Sequence, residues 1–147
     1  MVLQAKEIMD RNLLTLDEET DALSAARRMV EARKGYAVLT RGPSATLAGI
    51  VTEWDFLEKI VASGVPPASV PVKAIGSSTV QSCLPETPTD EVASLMASQG
   101  IRRIVVRQGD QVVGVITSRQ VIGVFRQYVD KLTAQIAGYN LGGNPPG

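Results

Sequence analysis

The amino-acid sequence contains two copies of one pattern, and this internal repeat constrains the fold more than any other feature. An offset of 67 residues aligns Ala5–Met9 with Val72–Gly76. Further along, an offset of 65 aligns Gly49–Thr52 with Gly114–Thr117, because one loop is two residues shorter in the second copy. Two gap-free blocks on either side of a single change in loop length indicate a duplicated unit.

Each copy has the same predicted order of elements, β-α-β-β-α. The first long helix carries apolar residues at helical spacing on one face, and its small alanines favour close packing on a sheet. That face comprises Ala22, Ala25, Ala26, Met29 and Val30. The predicted helices are Asp21–Arg33, Thr89–Ser98, Glu53–Ser63 and Ser118–Lys131 or beyond, and the predicted strands are Leu13–Leu16, Tyr36–Thr40, Leu47–Val51, Val80–Cys83, Arg103–Arg107 and Gln111–Ile116.

The repeat divides the 147 residues into four parts. They are a first repeat at 1–64, a linker at 65–71, a second repeat at 72–137 and a flexible tail at 138–147. A unit of about 65 residues is near the lower limit for a self-sufficient core. We therefore expect an α/β (α+β) fold in which the two repeats pack on each other about a pseudo-two-fold axis. Such packing creates two related clefts, where ligand sites commonly lie.

The composition argues against several classes of function. The chain has no histidine, which disfavours histidine-based catalysis and metal sites, and its one cysteine, Cys83, allows no internal disulfide. Fifteen basic and fifteen acidic residues give a net charge of zero, which argues against nucleic acid as a partner. No apolar run approaches the ~20 residues that span a bilayer. We expect a cytoplasmic protein with no enzymatic activity, no bound metal and no membrane contact.

Three segments carry a resemblance to a known family: Gly49–Phe56, its equivalent Gly114–Val121, and Gly100–Val106. Together they are similar to the tandem CBS (cystathionine-β-synthase) domain pair, or Bateman module, in its stand-alone form. The resemblance covers nearly the whole chain. It implies a regulatory module that binds an adenosine-containing ligand in its clefts, such as AMP, ADP, ATP or S-adenosylmethionine. It also implies dimerisation through the helices into a flat disc.

The motif Thr-x-x-Asp at Thr52 and Asp55 has two interpretations. As a helix start it is a capping box that stabilises the fold by ~1 kcal/mol, and Thr117 and Gln120 form the same box in the second copy. A carboxylate, unlike a glutamine, accepts both hydroxyls of a ribose in charge-assisted bonds, and the resemblance implies that Asp55 holds the ribose. We expect one tight nucleotide site per chain, and a weak or altered one near Gln120.

Two consecutive arginines, Arg102 and Arg103, begin a predicted strand, so their side chains point to opposite faces. They are either surface and salt-bridging residues, the common case, or they bind a phosphate, for which the planar guanidinium is suited. The resemblance implies the phosphate role for at least one of them. The first copy has Gly35 and Tyr36 at these positions, with Lys34 or Arg33 as weak candidates to replace the arginines.

The remaining candidates follow from their places near the expected clefts. Thr52 and Thr117 offer hydroxyls and backbone N–H groups at helix starts, which favour an anion. Apolar residues there wall an adenine or serve as ordinary core, and these are Leu14, Tyr36, Ala37 and Ile50. The complete set of candidate ligand-binding residues is Asp55, Thr52, Arg102, Arg103, Thr117, Thr15, Tyr36, Ala37 and Ile50.

The expected ligand is an adenine nucleotide, AMP before ADP or ATP. A scaffold with empty clefts is one alternative, although it needs neither Asp55 nor the arginine pair. S-adenosylmethionine is another, although its cationic sulfonium is disfavoured beside two arginines. As protein partners we expect a regulated protein and a second copy of the chain, because the helices after each Thr-x-x motif carry more apolar residues than one face needs. These residues are Phe56, Leu57, Ile60, Val121, Ile122 and Phe125.

Overall fold

Two three-stranded sheets form the centre of the computed structural model, which describes residues 3–142. The predicted α/β fold of two β-α-β-β-α repeats is confirmed. The elements up to the linker are α1 (Ala5–Ile8), β1 (Thr15–Asp17), α2 (Ala22–Ala32), β2 (Tyr36–Arg41), β3 (Thr46–Thr52) and α3 (Glu53–Phe56). After short 3₁₀ turns at Pro67–Ser69 and Val72–Ala74 follow β4 (Ser82–Cys83), α4 (Thr89–Gln99), β5 (Arg103–Gln108), β6 (Gln111–Thr117) and α5 (Ser118–Gly142).

The two sheets share one topology, including an irregularity. In each, the first strand pairs in parallel with the second, and the second pairs antiparallel with the third. The register shifts between Leu39 and Thr40 in β2 and between Val106 and Arg107 in β5, which are equivalent positions at the offset of 67. A β-bulge changes the direction of the side chains beyond it. The duplication therefore extends to the backbone geometry.

Helix α2 begins and ends close to its predicted bounds because its caps are local. The Asp21 carboxylate accepts a hydrogen bond from the Ser24 backbone N–H at 2.8 Å, and Arg33 ends the helix in the left-handed region at φ 54°. The helix buries Met29 and two alanines. The prediction that Val30 belongs to the same face is wrong, since its side chain is 77% exposed. One residue past Met29 the helix has rotated by about 100°, which carries Val30 to the flank.

Three clusters of buried apolar side chains hold the sheets in place. One lies within each repeat, and the third lies between the two sheets. Along β2, Ala37 and Leu39 belong to the core of the first repeat, whereas Tyr36 and Val38 belong to the shared cluster. Strands that are buried on both faces are apolar throughout rather than alternating. The buried members of the shared cluster are Tyr36, Val38, Val105 and Val115.

The first segment of each repeat packs on the core of the other repeat. The Ala5 N–H in α1 donates to the Thr87 carbonyl at 2.8 Å, and Ala5 is buried in the core of the second repeat. The equivalent Val72 N–H donates to the Thr20 carbonyl at 2.6 Å, and Val72 is buried in the core of the first repeat. The two predicted repeats thus exchange their first segments, and neither core closes without the other.

The helices after β3 and β6 differ from each other and from their predicted forms. Helix α3 widens into a π-helical turn at Leu57–Val61, whereas α5 runs unbroken for 25 residues. The predicted flexible tail at 138–147 begins inside α5, and residues 143–147 lie outside the described part of the chain. Within the described residues, no helix is both long and apolar enough to cross a lipid bilayer.

The apolar residues predicted to be exposed on these two helices divide into two groups. The prediction is wrong for Ile60 and Val121, which face inward and are buried in the cores of their own repeats. Leu57, Ile122 and Phe125 are exposed, and Phe56 is half-buried against the first core. Most of the apolar surface left uncovered therefore lies on α5.

Candidate functional site

A cavity of about 190 Å³ lies at the junction of the two repeats. The end of β3, the start of β5 and the segment before β4 form its walls. We call it cleft A, and its lining residues are Ile50, Thr52, Thr79, Val80, Gln81, Ile101, Arg102, Arg103 and Val105. Cleft A is thus built by both repeats.

A pair of backbone hydrogen bonds fixes the distance between the two sides of cleft A. Ile50 and Ser77 each donate their N–H to the carbonyl of the other at 2.9 Å. This approach requires glycine at position 49, because a Cβ on Gly49 would lie 2.5 Å from the Ser77 carbonyl oxygen. The bridge joins β3 of the first repeat to the segment that leads into β4.

The helix start at Thr52 uses the Asp55 carboxylate as its cap. Asp55 Oδ2 accepts hydrogen bonds from the Thr52 N–H at 2.8 Å and from the Thr52 hydroxyl at 3.2 Å. In the second repeat, Gln120 Oε1 accepts the equivalent bonds from Thr117 at 2.8 and 3.3 Å. The cap is therefore made in both repeats with the same geometry. What distinguishes Asp55 from Gln120 is its charge.

Arg103 stacks on Tyr36, its own equivalent in the first repeat. The guanidinium carbon lies 5.3 Å from the centre of the Tyr36 ring, a favourable cation–π distance. Arg103 Nε is buried and has no hydrogen-bond acceptor among the described residues. Its neighbour Arg102 is exposed. Within residues 3–138, neither arginine forms an ion pair, so the positive charge in cleft A is not neutralised there.

The second junction, which we call cleft B, is built around Asp10, Lys34, Tyr36 and Val115. Asp10 and Val115 exchange two backbone hydrogen bonds at 2.9 and 3.1 Å, the equivalent of the bridge in cleft A. Lys34 Nζ pairs with Asp10 at 2.8 Å, so this lysine is engaged rather than available to a ligand. Burial, with help from the charge of Asp10, raises the pKa of Tyr36 to about 12. Cleft B therefore has a carboxylate, Asp10, at the position where cleft A has Ser77.

The ion pair in cleft B predicts a dependence of stability on pH. The hydrogen bond from Lys34 lowers the pKa of Asp10 from its ordinary value of 3.8. The charged carboxylate thus stabilises the fold fully above its unfolded pKa of about 3.9, and this contribution is lost as the pH falls through the lower folded value. We expect the difference in free energy of unfolding between wild type and Asp10→Asn to be constant above about pH 5 and to shrink below about pH 4. Urea unfolding measures it, and a difference unchanged down to about pH 3 would contradict the ion pair.

The structure brings four of the predicted site residues together in cleft A. They are Ile50, Thr52, Arg102 and Arg103. Asp55 does not line the cavity itself but is hydrogen-bonded to Thr52 at its edge. The other four lie elsewhere. Thr15 is exposed on the edge strand β1, Thr117 caps α5, Tyr36 is in the shared cluster, and Ala37 is buried in the first core.

Three groups of cleft residues are absent from the predicted set. Thr79, Val80 and Gln81 line cleft A, as do Ile101 and Val105 beside the arginine pair, and Asp10 sits in cleft B. The repeat itself contained the signal for the first group, because the offset of 67 places Gln81 on Leu14, which was identified as a cleft residue. For Asp10 the sequence holds no such signal, since its equivalent in the second copy is a serine.

Two other kinds of group are candidates for chemistry, the thiol of Cys83 and clusters of metal-ligating side chains. Cys83 is half-buried against the second core, and burial raises the pKa of its thiol, which lowers its reactivity. In the described part of the chain, no three His, Cys, Asp or Glu side chains come together where they would hold a metal ion.

A larger groove of about 560 Å³ runs along α5. Leu3 and the start of α4 form one wall, and the side of α5 between Val124 and Gln135 forms the other. Phe125, Tyr128 and Leu132 are among its apolar lining residues. We call it the α5 groove.

Comparison with known proteins identifies both repeats. The family model described as CBS domain matches residues 5–62 and 72–126. An uncharacterized protein of Methanopyrus kandleri is 28% identical over 119 residues, which are 80% of this chain and 60% of that protein. The chain thus spans less than two thirds of the length of that relative.

Solved structures agree with the family match. A hexameric CBS-CP12 protein from bloom-forming cyanobacteria is 32% identical with a TM-score of 0.75, over 83% of this chain and 71% of that one. A CBS domain protein from Pyrobaculum aerophilum, solved in complex with AMP, is 27% identical with a TM-score of 0.72, over 80% of this chain and 89% of that one. With two matched repeats that pack about a common junction, the chain belongs to the CBS domain family as a tandem CBS pair.

Proposed function

We propose that the chain is a non-catalytic regulatory module that binds an adenine nucleotide, AMP before ADP or ATP, in cleft A. The observation that carries the proposal is the arginine pair Arg102–Arg103, which enters the cleft without an ion-pair partner among residues 3–138. Uncompensated positive charge in a cleft attracts an anion. The AMP complex of the 27% identical P. aerophilum relative supports the same class of ligand.

The two arginines differ in what they offer a phosphate. Arg102 is exposed at the mouth of the cleft, where its side chain reaches a ligand without rearrangement. Arg103 lies deeper, and its Nε lacks an acceptor among the described residues. An unsatisfied buried donor costs about 1–3 kcal/mol. A phosphate that draws the guanidinium from the Tyr36 ring would relieve part of that cost.

The Asp55 carboxylate is able to cap the helix and bind a ribose at the same time. Its Oδ2 makes the two hydrogen bonds to Thr52. Its Oδ1 has only a longer contact of 3.6 Å with Lys59, so it retains capacity to accept a ribose hydroxyl. The two interpretations of Asp55 are therefore compatible. The apolar side chains of Ile50, Val80 and Val105 then wall the base.

The differences between the clefts support one anionic site per chain. In cleft B, Gln120 replaces Asp55, and Gly35 replaces Arg102. The carboxylate of Asp10 is also present there, held by Lys34. S-adenosylmethionine is disfavoured in cleft A because its sulfonium would lie beside two arginines. In a scaffold without a ligand, the buried Arg103 Nε would stay unsatisfied, with no bound anion to compensate for its cost in stability.

Titration calorimetry with AMP, ADP, ATP, adenosine and S-adenosylmethionine tests the proposal. We expect AMP to bind with a stoichiometry of one per chain, and more tightly than adenosine or S-adenosylmethionine. No heat of binding with any of the five ligands at millimolar concentration would contradict a nucleotide function. Two equal AMP sites per chain would contradict the assignment to cleft A alone.

The charge of Asp55 has its own test in Asp55→Asn, which keeps the size of the side chain and an oxygen for the cap. We expect AMP and adenosine to bind about tenfold or more weakly, since one charge-assisted hydrogen bond contributes about 1.5–3 kcal/mol. The matched control is Gln120→Asn at the equivalent cap, which should leave both affinities within about twofold. If Asp55→Asn binds AMP like wild type, Asp55 is only a cap.

The proposal includes a homodimer, a regulated partner protein and a cytoplasmic setting. The uncovered apolar residues on α5 support the homodimer, because monomeric soluble proteins seldom expose large contiguous apolar patches. The partner would read whether cleft A is occupied. Light scattering at micromolar concentration that gives the 15.7 kDa mass of a single chain would contradict the homodimer.

A further inference from the structure

Helix α5 extends beyond the CBS repeat, and its residues 127–138 are exposed on all sides. The family match ends at residue 126, whereas the helix continues to Gly142. Every side chain at positions 127–138 is exposed. A helix that stood alone in water would be polar all round, but this one carries large apolar side chains that are between 40% and 65% exposed: Ile122, Phe125, Tyr128, Val129, Leu132 and Ile136.

Five of these residues repeat at the spacing of a coiled coil. Ile122, Val129 and Ile136 are seven residues apart, and Phe125 and Leu132 fall three residues after the first two of them. In heptad notation the first three occupy a positions and the other two occupy d positions. A repeat of 3.5 residues keeps one apolar stripe facing a partner helix along its length. We call this stripe the α5 seam.

We propose that the α5 seam pairs with the α5 seam of a second copy of the chain, as parallel helices in register. All three a positions carry β-branched residues and Leu132 occupies a d position, a choice that favours two parallel strands. This pairing needs no nucleotide. The inference rests on the homodimer of the proposed function and adds the surface and the orientation of the pair.

The charges beside the α5 seam fit this arrangement. The flanking e and g positions between residues 121 and 135 hold a single charged residue, Arg126. In a parallel pair in register, Arg126 lies opposite Val121 of the other copy, because a g position faces the e position five residues further on. No like charges meet. Asp130 and Lys131 lie away from the seam, where they remain in water.

The area of the α5 seam lies at the lower end of the range for specific interfaces. The exposed parts of its five residues and Tyr128 amount to roughly 600 Å² per chain, or about 1,200 Å² for the pair, against a range of ~1,200–2,000 Å². Phe125, Tyr128 and Leu132 also line the α5 groove. A helix laid along the seam therefore covers part of the groove as well, which adds to the buried area.

Disulfide trapping tests the orientation directly. In a Cys83→Ser background, Ile136→Cys places a thiol on the seam, and Ala134→Cys places one on the opposite, equally exposed face. Under mild oxidation we expect Ile136→Cys to form a covalent dimer at least ten times faster than Ala134→Cys. In an antiparallel pair centred on Val129 the two thiols would be about 20 Å apart, so equal or absent cross-linking would overturn the proposal.

A second pair of variants tests whether the α5 seam holds the dimer together. Val129→Glu with Ile136→Glu puts charges on the seam, and Ala134→Glu with Ala137→Glu puts the same charges on exposed positions that belong neither to the seam nor to the α5 groove. We expect the first pair to raise the dimer dissociation constant at least 100-fold by light scattering, and the second to change it less than threefold. Equal effects would overturn the proposal. AMP binding should persist in both, and its absence from wild type would count against the ligand function alone.

Discussion

Replacement of both Arg102 and Arg103 by alanine is expected to weaken AMP binding by about 100-fold or more and to leave adenosine binding within about threefold. The reason is that both arginines line cleft A and neither has an ion-pair partner among residues 3–138, which leaves their charges available to the phosphate of the proposed ligand. Each charge-assisted bond to a phosphate contributes about 1.5–3 kcal/mol, and adenosine has no phosphate to lose. Calorimetry with the two ligands measures both effects.

The matched control for this pair is Arg107→Ala. Arg107 lies on the same strand, β5, and is partly buried, but it does not line cleft A. Its replacement removes one positive charge, half of what the double variant removes, so a general effect of net charge on AMP affinity would appear there at about half its size in free energy. An equal loss of AMP and adenosine affinity in the double variant would show that the arginines support the cleft structurally rather than bind phosphate.

Gly49→Ala is expected to destabilise the fold by about 2–3 kcal/mol or more, and the equivalent Gly114→Ala by about 1 kcal/mol. The added methyl group at position 49 meets the backbone carbonyl of Ser77, and Ser77 cannot move without breaking the two backbone hydrogen bonds that it exchanges with Ile50. At position 114 the first atoms met belong to the Met9 side chain, and a methionine adapts its rotamers to fill an altered space. Urea unfolding of the two variants gives the comparison.

The same pair of variants separates stability from ligand binding. Gly49→Ala displaces Ser77, and with it the segment at Thr79–Gln81 that lines cleft A. We therefore expect it to weaken AMP binding as well, whereas Gly114→Ala acts near cleft B and should leave AMP binding unchanged. If both alanines destabilise the protein equally, the close approach of the Ser77 carbonyl does not explain the need for glycine at position 49.

Much of the fold could be predicted because its signals are local. The cap of α2 at Asp21 and the shared caps at Thr52 and Thr117 depend on residues three positions apart. Each strand begins and ends within two residues of its predicted bounds. Continuous apolar runs such as the one that starts at Tyr36 mark strands that are buried on both faces.

The rest depends on contacts between distant parts of the chain. The repeat aligns Ala5 with Val72, but two nearly equivalent cores offer each segment the same surroundings, and no local pattern says which one it joins. The stacking of Arg103 on Tyr36 likewise arises only when the two sheets pack. The sequence predicted an excess of apolar residues on α5 but not which of them are exposed. Val121 is buried and Ile122 is exposed because of the side of the helix that meets the sheet.

The exchange of first segments bears on how a duplicated chain of this kind arises. A single repeat on its own could complete its core only by exchanging first segments with another molecule, so its folding would depend on protein concentration. Fusion of two copies makes this exchange intramolecular. The effective concentration of one repeat near the other is then set by a short linker and not by the amount of protein in the cell. Once the copies share a chain they no longer need to remain identical. Cleft A is then able to keep Asp55 and the arginine pair, while cleft B has different residues, Gln120 and Asp10.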